Sequence, residues 1–291
     1  MASDSKYSPK QSGLLRRFGT RSTQLVAQLI GNRFPFYYVC EYPRSGGTWL
    51  GEMLAAYLDL PLPHQPLGPV LRSAVLHNHW GYSPRLKRVF YLYRDGRDVC
   101  TSMYFFCLRA LAHDNVAMRN YYRAKLPQAV AENWRPEDSR KNMAKFIEVW
   151  ATKPMGCRIT WKNHVQQWAL NRPNVINVSY EQLREDCSGA LARIIPRHIS
   201  GDLNQARINE VVERFSFAKM TGRKPGAQDA SSFMRKGVVG DWQNHFDKDA
   251  AIAFDRHAGQ LLVQLGYEAD RQWVNRVTDC GVQPDAAVAS K

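Results

Sequence analysis

The chain has 291 residues, 44% of them hydrophobic, with 40 Lys plus Arg against 26 Asp plus Glu and a formal charge of +14. That length buries a substantial core and excludes any need for disulfides or metals as folding staples. The cationic surplus favours anionic partners, whether nucleic acid, acidic lipid, polyanionic sugar or nucleotide phosphate, and does not choose among them.

Residues 1–12 are polar and are expected to be a disordered N-terminus, with one domain over 13–276. Residues 13–31 carry Leu14, Leu15, Phe18, Val26, Leu29 and Ile30 among Arg16, Arg17 and Arg21. An interfacial membrane helix and an ordinary helix packed on the domain both fit. Gly19 and Thr20 interrupt the apolar stripe and favour packing. From Phe34 to Tyr42 the run FPFYYVCEY is aromatic and β-rich and predicts a buried strand. It enters PRSGGTW and then a helical pattern, Leu50, Met53, Leu54, Tyr57 and Leu58, ended by Pro61.

A second strand is predicted at Arg88–Tyr93, opening into a glycine turn and a helix from Asp98. A third, Val175–Tyr180, leads into a helix near Glu181. Strand, loop and helix in repetition predict a single α/β domain, a doubly wound parallel central sheet flanked by helices. The helical pattern is only moderate from His113 to Ile159, and residues 277–291 are expected to be a disordered tail. Cys40, Cys100, Cys107, Cys157, Cys187 and Cys280 form no C-x-x-C pair and lie in apolar stretches, the pattern of reduced, buried thiols. No run has the length of a transmembrane helix and no signal-peptide pattern opens the chain, so a cytoplasmic protein is expected.

The loop Pro43-Arg44-Ser45-Gly46-Gly47-Thr48-Trp49 joins a strand to a helix start, where unpaired N–H groups and a partial positive charge attract anions. Gly46 and Gly47 admit close approach of an oxygen, Ser45 and Thr48 add hydroxyls, and Arg44 adds a planar fork of donors. The loop lacks the lysine of G-x-x-x-x-G-K-[ST], which disfavours magnesium-dependent ATP hydrolysis. YPRSGGTWL resembles the 5′-phosphosulfate loop of the cytosolic-type sulfotransferases, commonly written Lys-Ser-Gly-Thr-Thr-Trp. Those enzymes have a P-loop NTPase-like fold and use 3′-phosphoadenosine 5′-phosphosulfate (PAPS) as co-substrate, releasing 3′-phosphoadenosine 5′-phosphate (PAP). The resemblance implies that Arg44 contacts the phosphosulfate, that Ser45, Gly46, Gly47 and Thr48 hold the 5′-phosphate, and that Trp49 stacks on adenine. Arginine in place of lysine keeps the charge but changes its geometry, and Gly47 stands where a threonine is common.

Two more segments extend the resemblance. Arg94 at a strand end and Ser102 eight residues later are similar to the family's 3′-phosphate motif. Ser232–Trp242 resembles its arginine-lysine-glycine signature followed by glycine-aspartate-tryptophan. Together they imply nucleotide contacts from Phe233, Met234, Arg235, Lys236 and Gly237, with Arg235, Lys236 and the Gly237 amide on the 3′-phosphate. Tyr180 falls where a tyrosine meets adenine, and Phe217 where an aromatic faces the base, although Phe215 replaces a threonine there. Trp161 to Trp168 resembles a helix bordering the acceptor pocket. The resemblance spans about residues 36–246.

The implied reaction is in-line displacement at sulfur. It needs a base for the acceptor and a cation at the leaving oxygen, and no metal if Arg44 carries that charge. VLHNHW matches the context of the family's catalytic histidine, with His79 in its position and His77 where a lysine is common. Motif position favours His79 as the base, and His77 remains the alternative. The H-x-H pair also has metal-binding spacing, but no third ligand stands near it in sequence.

The implied acceptor is a small molecule, lipid or carbohydrate. Peripheral membrane contact is compatible with the sequence, nucleic acid is not expected, and the family's dimer motif is not recognisable after Trp242. The rivals are a nucleotide or sugar kinase, which lacks its loop lysine and magnesium carboxylates, and a polyanion-binding protein, which lacks any reader motif.

Overall fold

The computed structural model describes residues 9–64, 66–126, 139–169, 172–224, 226–227, 229, 235–278 and 281–282. Along the chain the elements begin with α1 (Pro9–Ile30), β1 (Phe36–Glu41), α2 (Gly47–Leu58), β2 (Ala74–Asn78), β3 (Val89–Tyr93), α3 (Gly96–Leu111) and α4 (Val116–Lys125). They continue with α5 (Ser139–Thr152), α6 (Trp161–Trp168), β4 (Val175–Ser179), α7 (Tyr180–Glu185), α8 (Cys187–Ile194) and α9 (Gln205–Arg214). The series ends with α10 (Phe217–Thr221), α11 (Lys248–Gln264), β5 (Val277–Thr278) and β6 (Gly281–Val282). The chain forms two compact units, one from segments 1–41, 46–93 and 168–216, the other from 42–45, 94–167 and 217–291.

The first unit holds the parallel sheet, in the order β2-β1-β3-β4. Tyr37 pairs with Val75 and Val39 with His77 on one side of β1, and Val39 with Phe90 on the other. Successive strand residues point to opposite faces. One face therefore gathers Val39, Val75, Phe90, Leu92 and Val178 beneath α2, α7, α8 and α9. The other gathers Phe36, Tyr38, Cys40, Leu76 and Tyr91 with Ala27 of α1 and Trp168. The first face also receives the polar residues that end two strands, because Glu41 and His77 share the parity of Val39 and Val75.

The second unit is helical with an aromatic core. Trp150 stacks on Trp161 at 5.9 Å and on Phe254 at 6.1 Å. Arg97 is buried there, its guanidinium 4.0 Å from the ring centre of Trp242 and 4.8 Å from that of Trp273, paired with Asp95 and Glu268. Two carboxylates and two indole faces satisfy a cation that burial alone would make costly.

Several expectations shift. Residues 1–8 lie outside the described ones, and the N-terminal stretch is helical from Pro9, where proline fits a first helical turn. Strand β2 was not anticipated, since HNH closes it with polar side chains. Helix α3 starts at Gly96 rather than Asp98, because the Asp95 side chain caps it by accepting from the Arg97 N–H at 2.9 Å. In the expected C-terminal tail, Val277–Thr278 pairs antiparallel with Gly281–Val282, with Val277 buried. The described cysteines, Cys40, Cys100, Cys107, Cys157 and Cys187, are free thiols, as expected.

Candidate active site

In the first unit, the carboxyl end of β1 leads towards the start of α2. Gly46 has φ +109°, and a Cβ there would lie 2.9 Å from the Tyr180 ring. Glycine is needed on both counts. The Trp49 indole donates to the Phe215 carbonyl at 2.8 Å and meets Tyr180 edge-on, with ring centres 6.1 Å apart. The Arg184 guanidinium lies 6.0 Å from the Trp49 ring centre. Trp49 and Tyr180, both expected at adenine, are thus neighbours.

The same loop also meets a residue that no motif in the sequence singles out. Glu41, the last residue of β1, is buried. Its carboxylate accepts from the Gly47 amide and from His77 Nε2, the latter at 3.0 Å. Its backbone carbonyl accepts from His79 Nδ1, also at 3.0 Å. A carbonyl only accepts, so His79 Nδ1 carries the proton and Nε2 keeps the lone pair. The two imidazoles meet edge-on at 5.1 Å.

A Cβ at Gly47 would fall 2.5 Å from the Glu41 carboxyl carbon and 2.8 Å from His77 Nε2. That is a physical reason for glycine where a threonine is common: the Glu41–His77 pair fills the space.

The electrostatics follow from this packing. Burial pushes the His79 imidazole below its ordinary range; the Glu41 carboxylate opposes the shift and His77 reinforces it. Burial alone would raise Glu41, yet the His77 hydrogen bond, the two imidazoles and the Gly47 amide outweigh it and hold the carboxyl below the usual range.

Glu41 also corrects the expectation that H-x-H has no third ligand at hand. One ligand atom from each of Glu41, His77 and His79 lies within 4.8 Å of the others, the composition of a divalent-metal site. The neighbouring strand supplies the third residue, a contact that spacing along the chain does not reveal. Both Glu41 carboxylate oxygens are already engaged by hydrogen bonds, so a metal would have to displace them.

In the second unit, Arg44 sits in the loop with φ +79°, a left-handed conformation uncommon for arginine. Its Nε donates to the Ser102 hydroxyl at 3.1 Å, and its guanidinium lies 5.3 Å from the Phe106 ring centre. Ser102, expected with Arg94, is therefore in contact with Arg44. The Ser45 hydroxyl is buried and has no hydrogen-bond partner among the described residues. A polar group left in that state carries a free-energy cost that an oxygen-rich ligand would relieve.

Arg94 donates to Asp98 and to the Val238 carbonyl, both at 3.0 Å. Asp98 in turn accepts from the Gly240 and Trp242 amides at 2.9 Å. Residues 94–98 and the glycine-aspartate-tryptophan segment, far apart in sequence, are brought together here. Phe233 and Met234 lie outside the described residues.

Arg235 and Lys236 both pair with the buried Asp241, and His245 Nε2 stands 3.4 Å from the same carboxylate. Burial raises Asp241, but the neighbouring His245, Lys236 and Arg235 hold its carboxyl well below the usual range. Arg235 Nη1 is buried without a partner among the described residues. Gly237 has φ +64°, and a Cβ there would lie 2.4 Å from the Phe217 ring, so these two expected residues pack directly. The helix expected to border an acceptor pocket is α6; its Trp161, His164, Val165 and Trp168 are buried in core packing.

The sequence profile described as "Sulfotransferase domain" matches residues 82–266, a span that runs through both units. Human Sulfotransferase 1E1 is 26% identical over 187 residues, covering 60% of this chain and 55% of that protein. The chain thus aligns with about half the length of that relative. Human Sulfotransferase 2A1 is 26% identical over 268 residues, covering 79% of this chain and 85% of that protein. Among solved structures, mouse sulfotransferase SULT7A1 complexed with PAP superposes with a TM-score of 0.61 at 21% identity, over 86% of this chain and 93% of that one. Retinol dehydratase in a complex with retinol and PAP gives 0.51 at 16% identity, over 88% and 95%. These likenesses establish the fold: α/β with a parallel central sheet flanked by helices, P-loop-like.

Proposed function

The chain belongs to the sulfotransferase family, and from that premise we propose that it transfers the sulfuryl group of PAPS to an acceptor hydroxyl or amine. The 5′-phosphate is taken by the amides of Gly46 and Thr48 with the Ser45 hydroxyl, Gly47 giving close approach while its own amide stays on Glu41, and adenine by Trp49, Tyr180 and Phe217. The 3′-phosphate is taken by Arg94, Ser102, Arg235, Lys236 and the Gly237 amide, with Phe233 and Met234 also contacting the nucleotide. His79 Nε2 removes the acceptor proton, the acceptor oxygen or nitrogen attacks sulfur in line, and the bond from sulfur to the bridging phosphate oxygen breaks. Arg44 neutralises the charge growing on that oxygen, so PAP leaves without a metal.

One observation carries this reading. The Ser45 hydroxyl and Arg235 Nη1 are buried donors without partners among the described residues, and they lie on the two segments whose sequences match the family's phosphate motifs. Both fit a nucleotide phosphorylated at two places. The acceptor is a small molecule, lipid or carbohydrate, and the protein is cytoplasmic.

Calorimetric titration tests the assignment. PAP should bind at least about tenfold more tightly than AMP, because charge-assisted bonds to a 3′-phosphate are worth about 1.5–3 kcal/mol each. Equal affinities would sink the roles given to Arg94, Arg235 and Lys236.

A further inference from the structure

Helix α1 uses only one of its faces. Gly19, Thr23 and Ala27, four residues apart, are buried and form its packed stripe. Gly19 approaches the chain so closely that a Cβ would lie 1.9 Å from the Pro66 carbonyl oxygen, and the Thr23 hydroxyl accepts from the Val70 N–H at 3.1 Å. The residue that interrupts the apolar pattern is thus the one that lets the helix pack.

Beside this stripe runs a second one that nothing among the described residues covers. Leu14 is 68% exposed, Phe18 60%, Leu25 57% and Leu29 62%. At about 100° per residue these four fall within one narrow arc, and Leu15 extends it towards the packed side. From Leu14 to Leu29 the stripe is about 22 Å long. Exposed Arg17 and Arg21 line its far border.

The charge of this region is equally one-sided. Between Ser5 and Cys40 the sequence carries Lys6, Lys10, Arg16, Arg17, Arg21 and Arg33 and no carboxylate at all. A second copy of the helix is a poor occupant, because two-fold pairing would bring this cationic segment, which carries no carboxylate, against its own copy. An anionic bilayer meets both features at once. The leucine and phenylalanine stripe enters the boundary between headgroups and acyl chains, while the arginines on its border reach lipid phosphates. No described helix is long and apolar enough to cross a membrane, so the contact is with the surface.

We propose that α1 docks this protein on anionic membrane surfaces through Leu14, Phe18, Leu25 and Leu29, with Arg17 and Arg21 on the phosphates. The inference rests on α1 alone and stands apart from the catalytic reading.

Flotation of the full chain with vesicles tests it, using phosphatidylcholine alone or mixed with phosphatidylglycerol. The protein should float with the mixed vesicles, stay behind with phosphatidylcholine alone, and be released by high salt. Phe18→Ser/Leu25→Ser/Leu29→Ser should reduce binding by at least about tenfold. Arg17→Gln/Arg21→Gln should reduce it about fivefold per arginine and flatten its salt dependence. All five side chains are exposed, so thermal melting should be unchanged. If the serine variant fails to fold, the arginine variant and the wild-type salt series decide alone. No binding to mixed vesicles, or binding that survives these substitutions, overturns the proposal. So does a solution dimer that the serine variant converts to monomer, an outcome that assigns the stripe to a second copy.

Discussion

Two buried carboxylates, one in each unit, collect different company. Glu41 gathers two imidazoles and a backbone amide. Asp241 gathers a guanidinium, an ammonium and one imidazole. The first set is built on imidazoles, the side chain suited to taking and giving a proton, whereas the second is dominated by a guanidinium and an ammonium, donors suited to holding an anion. On the proposed reading, the proton is handled at the imidazoles and the phosphate is held at the cations. Both carboxyls lie below the usual range for the same reason, since nearby donors outweigh burial.

The largest expected effect lies at the imidazoles beside Glu41. His79→Ala should lower kcat by roughly two to four orders of magnitude, the ordinary worth of a general base, and leave PAP affinity nearly intact. Because burial depresses this imidazole, its neutral form persists to lower pH than usual. The ascending limb of kcat/KM should therefore lie below the ordinary histidine range near 6.5 and vanish in the variant. A larger loss in His77→Ala would move the base to that residue.

At Asp241 the expected effect is on stability. Asp241→Asn should destabilise the fold by about 3 kcal/mol at neutral pH, because it leaves Arg235 and Lys236 half-buried with no counter-charge. A carboxyl depressed by folding contributes stability that is complete above its unfolded value of about 3.9. That contribution is lost as pH falls through the folded value, so the gap between variant and wild type should persist to pH 4 and narrow only in stronger acid. Urea denaturation at several pH values measures it. Equal stability at neutral pH would mean that Asp241 is no anchor.

Much of this was legible in the sequence because local pattern and local structure agree. The runs that make β1, β3 and β4 are aromatic or β-branched, and the loop after β1 carries its glycines where the backbone turns. The signature around Arg235 was legible as a string of letters. Its physics was not, since Asp98 reaches Gly240 and Trp242 from well over a hundred residues away. Strand β2 escaped because its polar end hides the alternation. Glu41 escaped because it looks like the tail of an apolar strand. Its meaning appears only when Val39 pairs with His77 and sets the carboxylate beside two imidazoles and the Gly47 amide. The unusual Gly47 was a legible signal, although its cause lay on another strand.

The smallest effect sharpens the comparison most, because it asks whether Glu41 serves the histidines or merely fills space. Glu41→Gln keeps the shape and an acceptor oxygen but removes the charge. The carboxylate raises His79, opposing the burial that lowers it. Without it the imidazolium is less favoured, and the ascending limb of kcat/KM should move to lower pH while the plateau changes only a few-fold. A steric role predicts a lower plateau with the limb in place, since loosening of the Gly47 amide would disturb the loop and leave the charge around His79 unimportant. A metal role predicts something else again. Zinc added to the wild type would inhibit it at concentrations that leave Glu41→Gln untouched, because the variant lacks the anionic ligand. A pH–rate profile of both proteins, repeated with zinc, separates the three outcomes, and only a downward shift of the limb supports Glu41 as the residue that sets the charge of the base.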